Sequence, residues 1–106
     1  MDVQAKMKNG ICKMRLVGDM TIYNAADMKP QLMKQLGRAT ELDVDLSGIS
    51  EFDSAGLQLL ILLKREAMNQ NKVLRLQSYS EVVMEVFTMT RADAIFGDSV
   101  MLSSGI

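Results

Sequence analysis

Twice in succession, a stretch with apolar residues at every second position gives way to one with apolar residues at every third or fourth. In "ELDVDLS", residues 41–47, Leu42, Val44 and Leu46 point one way and Glu41, Asp43 and Asp45 the other, the pattern of a strand with one wet face. From about Ser54 to Asn69 the spacing becomes helical. "KVLRLQS", residues 72–78, is again a strand, and "SEVVMEVFTMT" a helix beginning near Ser80, whose hydroxyl is placed to cap it. Strands separated by helices have the crossover connections that parallel pairing needs. The expected class is therefore α/β, with parallel pairing in at least part of one sheet.

The N-terminal half extends the alternation. In "ICKMRLVGDM", Cys12, Met14 and Leu16 alternate with Lys13 and Arg15, which predicts a strand that Gly18 ends. Residues 24–36 place Ala25, Met28, Leu32 and Leu36 on one helical stripe, with Gly37 as a left-handed C-terminal cap. Pro30 lacks an amide donor, so a kink is expected there, or a loose first turn with regular helix starting near it. After the last helix, "RADAIFGDSVMLSS" reads as a short helical turn, a glycine turn and an edge strand.

Length and charge narrow the function. With 106 residues, 48% of them hydrophobic, the chain holds one core and one domain, residues 1–106. The formal net charge is −1, with both signs interspersed, which disfavours nucleic acid as a partner. Leu59 to Leu63 is the longest apolar run, too short to cross a bilayer, and the start "MDVQAKMKNG" lacks the apolar stretch of a secretory signal. No direct membrane insertion is expected, and a lone Cys12 fits a reducing, cytoplasmic setting. The ten methionines fall mostly on apolar stripes and read as core filling.

The loop from a strand's carboxyl end into the next helix is the usual functional surface of an open α/β sheet, and "SGISEFDSAG" stands in that position. Asp53 or Ser54 can each accept from the free amides of the first helical turn. Gly56 costs about 1 kcal/mol relative to alanine inside a helix, so another backbone or a partner is expected to approach there. On a helical wheel, Ala55, Gly56, Leu59, Leu60, Leu63 and Ala67 form an arc suited to the sheet. Leu57, Ile61 and Met68 share the other side with Lys64, as a contact strip for a partner or as a strip covered by a neighbouring helix. Asp43 and Asp45 are the solvated side of a strand, with Asp45 also able to anchor the loop.

Enzymatic readings lack the necessary residues. The chain has no histidine, no G-x-S-x-G elbow around Ser54, no glycine-rich phosphate loop and no paired cysteines at zinc spacing. No catalytic residue, metal or cofactor is assigned, and a hydrolase using Glu51 and Asp53 alone is a minor alternative.

"VDLSGISEFDSAGLQLLILLKREA" resembles the signature of STAS domains, the family named for sulfate transporters and anti-sigma factor antagonists. In that family a strand ending in D-L-S leads through a short loop to D-S-[ST]-G-L at a helix start. "VGDMTIYNAADMKPQL" and "SYSEVVMEVFTMTRADAIFGD" are similar to its first strand-to-helix passage and its final segment. The departure is Ala55, where many antagonists carry a second hydroxyl. The resemblance implies a single small mixed β-sheet with helices mainly on one face. It also implies a protein-binding module that docks on an anti-sigma factor acting as a serine kinase, is released when Ser54 is phosphorylated, and is reset by a serine phosphatase. Glu51, Asp53, Ser54, Gly56, Leu57, Ile61 and Lys64 form the expected partner surface; monomer and homodimer both fit. The alternative is a cytoplasmic STAS accessory subunit bound to the ATPase of an ABC-type transporter.

Overall fold

The computed structural model describes residues 2–96. Two strands, β1 (Asp2–Lys8) and β2 (Ile11–Met20), precede helix α1 (Ala25–Arg38). They are followed by β3 (Glu41–Phe52), α2 (Ser54–Asn69), β4 (Val73–Gln77), α3 (Glu81–Thr90) and the short α4 (Asp93–Phe96). The strands form one four-stranded sheet in the order β1-β2-β3-β4. β1 runs antiparallel to β2, whereas β2–β3 and β3–β4 are parallel, so the sheet is mixed.

Period-two patterning sorts the two faces. Cys12, Met14, Leu16, Leu42, Val44, Leu46, Leu74 and Leu76 are buried under the helices, which contribute Met28, Leu32 and Leu36 from α1, Leu59, Leu60 and Leu63 from α2, and Val83 and Phe87 from α3. The other face is charged. Arg15 lies 3.7 Å from Asp45, and Arg75 bridges Asp43, at 2.8 Å, and Glu41. Of the described helices, none is long and apolar enough to cross a membrane.

Several boundaries differ from the sequence expectations. β1 was not anticipated; the chain reverses through Asn9 and Gly10, at φ 53° and 80°, the two left-handed residues that a tight hairpin turn requires. Gly18, at φ 109°, does not end β2 but sits where its register with β3 shifts, and the strand continues to Met20. α1 passes through Pro30 without a break. Pro30 and Ala26, whose carbonyl loses its donor, are both exposed, so water can satisfy that carbonyl. Gly37 is no left-handed cap: the helix includes it, and Ala39 follows in extended conformation. Lys72 Nζ instead donates to the Leu36 and Gly37 carbonyls, at 2.7 and 3.2 Å. The Ser80 side chain makes no capping hydrogen bond, and its oxygen is buried without a hydrogen-bond partner among the described residues. The expected edge strand falls outside the described residues.

The largest correction concerns "SGISEF". β3 does not stop at Ser47 but runs to Phe52, leaving Asp53 alone between strand and helix. From the pair Arg15–Asp45 to the pair Val17–Gly48, β2 advances two residues and β3 three; a second extra residue follows between Ile49 and Glu51. Such bulges bend a strand and interrupt its alternation. Gly48 is needed there because a Cβ would stand 2.8 Å from the Leu16 carbonyl oxygen. Asp45 anchors the first bulge by accepting from the Ser47 amide at 2.8 Å. Since β4 pairs with β3 only as far as Asp45, the outer part of β3 is flanked by α3, whose entry is fixed by the Ser80 amide donating to the Leu46 carbonyl.

Candidate functional site

Asp53 is extended, at φ −131°, and caps α2: its Oδ1 accepts from the Ala55 and Gly56 amides at 2.9 and 3.2 Å. Its Oδ2 accepts from the Ile22 amide at 3.0 Å, so the same carboxylate holds the loop between β2 and α1. Burial alone would raise the Asp53 carboxyl pKa; the amides of Ile22, Gly56 and Ala55 outweigh it and hold the group below the usual carboxylate range.

With capping assigned to Asp53, Ser54 is left as the exposed first residue of α2. Its hydroxyl stands at the positive end of the helix dipole, which favours negative charge, while the Ala55 and Gly56 amides are already taken by Asp53. The surrounding segment, residues 47–63, contains Glu51 and Asp53 and no Lys or Arg.

The loop from β2 to α1 is tied beside this turn by side-chain hydrogen bonds. Asn24 accepts from the Thr21 amide at 2.7 Å through Oδ1 and donates through Nδ2 to the Asp19 carbonyl, while Ser50 Oγ donates to Asp19 Oδ1 at 2.9 Å. At its tip, Ile22 is 70% and Tyr23 94% exposed. Sequence reasoning missed this pair. The signal was the apolar dipeptide in "TIYN", between a strand end and a helix start, where polar residues would be the default.

The expected partner residues therefore divide. Glu51, Asp53 and Ser54 meet at one end of the molecule. Gly56 is buried beneath them, and a Cβ on it would lie 2.3 Å from the Met20 carbonyl oxygen and 2.8 Å from the Phe52 ring. The close approach inferred from this glycine is thus made by the chain itself. Leu57 and Ile61 do not form an outward strip: they are 6% and 7% exposed, members of the core on a helix that packs against α1. A helix between a sheet and a neighbouring helix buries two faces, which a single-stripe reading cannot show. Met68 remains exposed, and Lys64 is half-buried about 15 Å down the helix axis from Ser54 at 1.5 Å per residue.

Comparison with known proteins gives concordant results. A family model described as "Mlab, STAS domain" matches residues 3–102. The anti-sigma-B factor antagonist of Bacillus subtilis (strain 168) is 22% identical over 105 residues, 99% of this chain and 96% of that protein. The crystal structure of an anti-sigma factor antagonist from Mycobacterium paratuberculosis superposes with a TM-score of 0.80 at 15% identity, covering 97% of this chain and 88% of that one. The Bacillus cell fate determinant SpoIIAA in its phosphorylated form gives a TM-score of 0.71 at 19% identity, covering 94% and 89%. These likenesses establish the fold.

Proposed function

This chain belongs to the STAS domain family, and on that premise we propose that it acts as an anti-sigma factor antagonist, binding its partner while Ser54 is unmodified and letting go when Ser54 is phosphorylated. The carrying observation is the division of labour at the start of α2: Asp53 caps the helix, and Ser54 stands exposed beside it. A phosphoryl group there adds about −1.5 to −2 charge. The helix N-terminus tolerates this charge, so the fold persists. A partner surface shaped around a neutral hydroxyl must desolvate the same charge, and docking fails. Ser54 is thus the substrate of a serine kinase, the anti-sigma factor itself, and a serine phosphatase restores binding. The chain contributes recognition rather than catalysis, and its setting is the cytoplasm.

Ala55, in place of the second hydroxyl, suits the other reading, an accessory subunit on a transporter ATPase. One experiment separates the two. The partner is recovered with the chain, the pair is incubated with ATP, and modified residues are mapped by mass spectrometry. The expected result is one phosphate, on Ser54, with Ser54→Ala binding constitutively and Ser54→Asp binding poorly at an unchanged circular dichroism spectrum. Equal binding by the two variants overturns the switch, and an unmodified Ser54 in complex with a transporter ATPase establishes the alternative.

A further inference from the structure

Where β4 ends and α3 takes its place beside the bulged end of β3, an open groove of about 490 Å³ remains. Its apolar wall is Phe52, Val82, Val86 and Met89; Glu51 and Glu85 stand among the other lining residues. Met89 is 75% exposed. Phe52 and Val86 are partly buried and packed on the core, so the floor is fixed while the methionine is free to adapt. The Phe52 ring also lies against Gly56, in the first turn of α2.

Charge indicates the occupant. The lining residues include two carboxylates and no Lys or Arg. Residues 47–63 and 76–90, which supply all of the lining but Thr21, contain Glu51, Asp53, Glu81 and Glu85 and no basic residue. An acidic segment, a nucleic acid or an anionic membrane would be repelled from this end.

We propose that this groove receives a segment of the partner protein with apolar residues at its centre and Lys or Arg at its edges. The inference rests on the reading that the Ser54 end meets a protein partner, and it adds a second contact with separate chemistry. Apolar side chains fill the wall between β3 and α3, and basic groups meet Glu51 and Glu85. Phosphate at Ser54 opposes a partner surface packed over that hydroxyl, but it does not repel a basic segment in this groove.

The test uses the whole chain and a fluorescein-labelled peptide of leucine and lysine at helical spacing, with a second peptide carrying glutamate in place of lysine. The expected result is binding of the lysine peptide at least about tenfold tighter than the glutamate peptide at low salt, weakened about tenfold by Glu85→Lys. Met89→Ser weakens it without altering charge, and methyl NMR signals of Val82, Val86 and Met89 shift on titration. Both substituted positions are exposed, so both variants fold. Ser54→Asp does not weaken peptide binding, because its added negative charge does not repel a basic segment. Equal binding of the two peptides, no binding, or methyl shifts confined to other surfaces overturns the groove while leaving the Ser54 switch standing. Localised lysine-peptide binding together with equal partner binding by Ser54→Ala and Ser54→Asp upholds the groove and removes the switch.

Discussion

The Asp53 carboxylate accepts from the Ile22 amide at 3.0 Å across 31 positions of sequence, while its other oxygen caps α2. One side chain thereby fixes the loop that presents Ile22 and Tyr23 relative to the turn that presents Ser54. Asp53→Ala removes an N-cap, a change that costs about 1 kcal/mol, and also leaves the Ile22 amide to water. The expected outcome in urea denaturation is a loss of about 1–2 kcal/mol with an unchanged m value. Amide exchange at Ile22 and in the first turn of α2 should quicken more than in β3.

The same carboxylate makes stability depend on pH in a defined direction. Its folded pKa lies below the unfolded value because the amide bonds outweigh the effect of burial. Its stabilisation is therefore complete above the unfolded pKa, about 3.9, and is lost as pH falls below that through the lower folded value. Asp53→Asn offers one oxygen where the carboxylate uses two, and it does not titrate. The stability difference between wild type and Asp53→Asn should be widest near neutral pH and shrink below about pH 4, measured by urea titrations across that range.

Two helical glycines should respond to alanine with opposite signs. At Gly56 the new Cβ meets the Met20 carbonyl oxygen at 2.3 Å and the Phe52 ring at 2.8 Å, and backbone cannot yield as a flexible side chain can. The gain in helix propensity, about 1 kcal/mol, is outweighed by overpacking of about 1–3 kcal/mol, and Gly56→Ala is destabilised. At Gly37 a Cβ meets nothing within 4 Å, and the backbone is helical rather than left-handed. Gly37→Ala should raise the melting temperature, by a stabilisation of up to about 1 kcal/mol.

That contrast shows where the sequence was legible. Among the described residues, the spacing of apolar side chains located α1 and α2, and α2 runs from Ser54 to Asn69 as that spacing indicated, although it left Leu57 and Ile61 on the wrong face. Capping was less readable: a glycine near a helix end suggests a left-handed cap, yet Lys72, 35 positions away, supplies the donor to the Gly37 carbonyl. Bulges defeated the reading of β3, since each extra residue resets the alternation and Gly48 imitates a loop residue. β1 carried a readable signal that the reading passed over, Val3, Ala5 and Met7 alternating with Asp2, Gln4, Lys6 and Lys8 ahead of Asn9-Gly10; within the strand all but Val3 are exposed, as suits an edge strand. At the site, Asp53 and Ser54 stood out through residue type and spacing. Ile22, Tyr23 and the groove beside α3 depend on contacts between distant segments, and no local pattern encodes them.

Lys72 binds the end of α1 to the start of β4. Its Nζ donates to the Leu36 carbonyl at 2.7 Å and to Gly37 at 3.2 Å, where the helix dipole concentrates negative charge. Among the described residues, the one backbone donor bonded to the Leu36 carbonyl from beyond the helix, the Ala39 amide, is distant at 3.4 Å, so the lysine is the closer partner. Lys72→Met keeps the apolar stem and removes the charge, and should cost about 1 kcal/mol at low ionic strength. Salt screens an interaction between partly exposed groups, so the loss should fall as sodium chloride is raised to about 1 M, whereas a packing defect would persist. Because this contact lies at the C-terminal end of α1, away from Asp53 and Ser54, the proposed phosphorylation of Ser54 should proceed in Lys72→Met at the wild-type rate. A slowed rate would show that the two ends of the helical layer communicate.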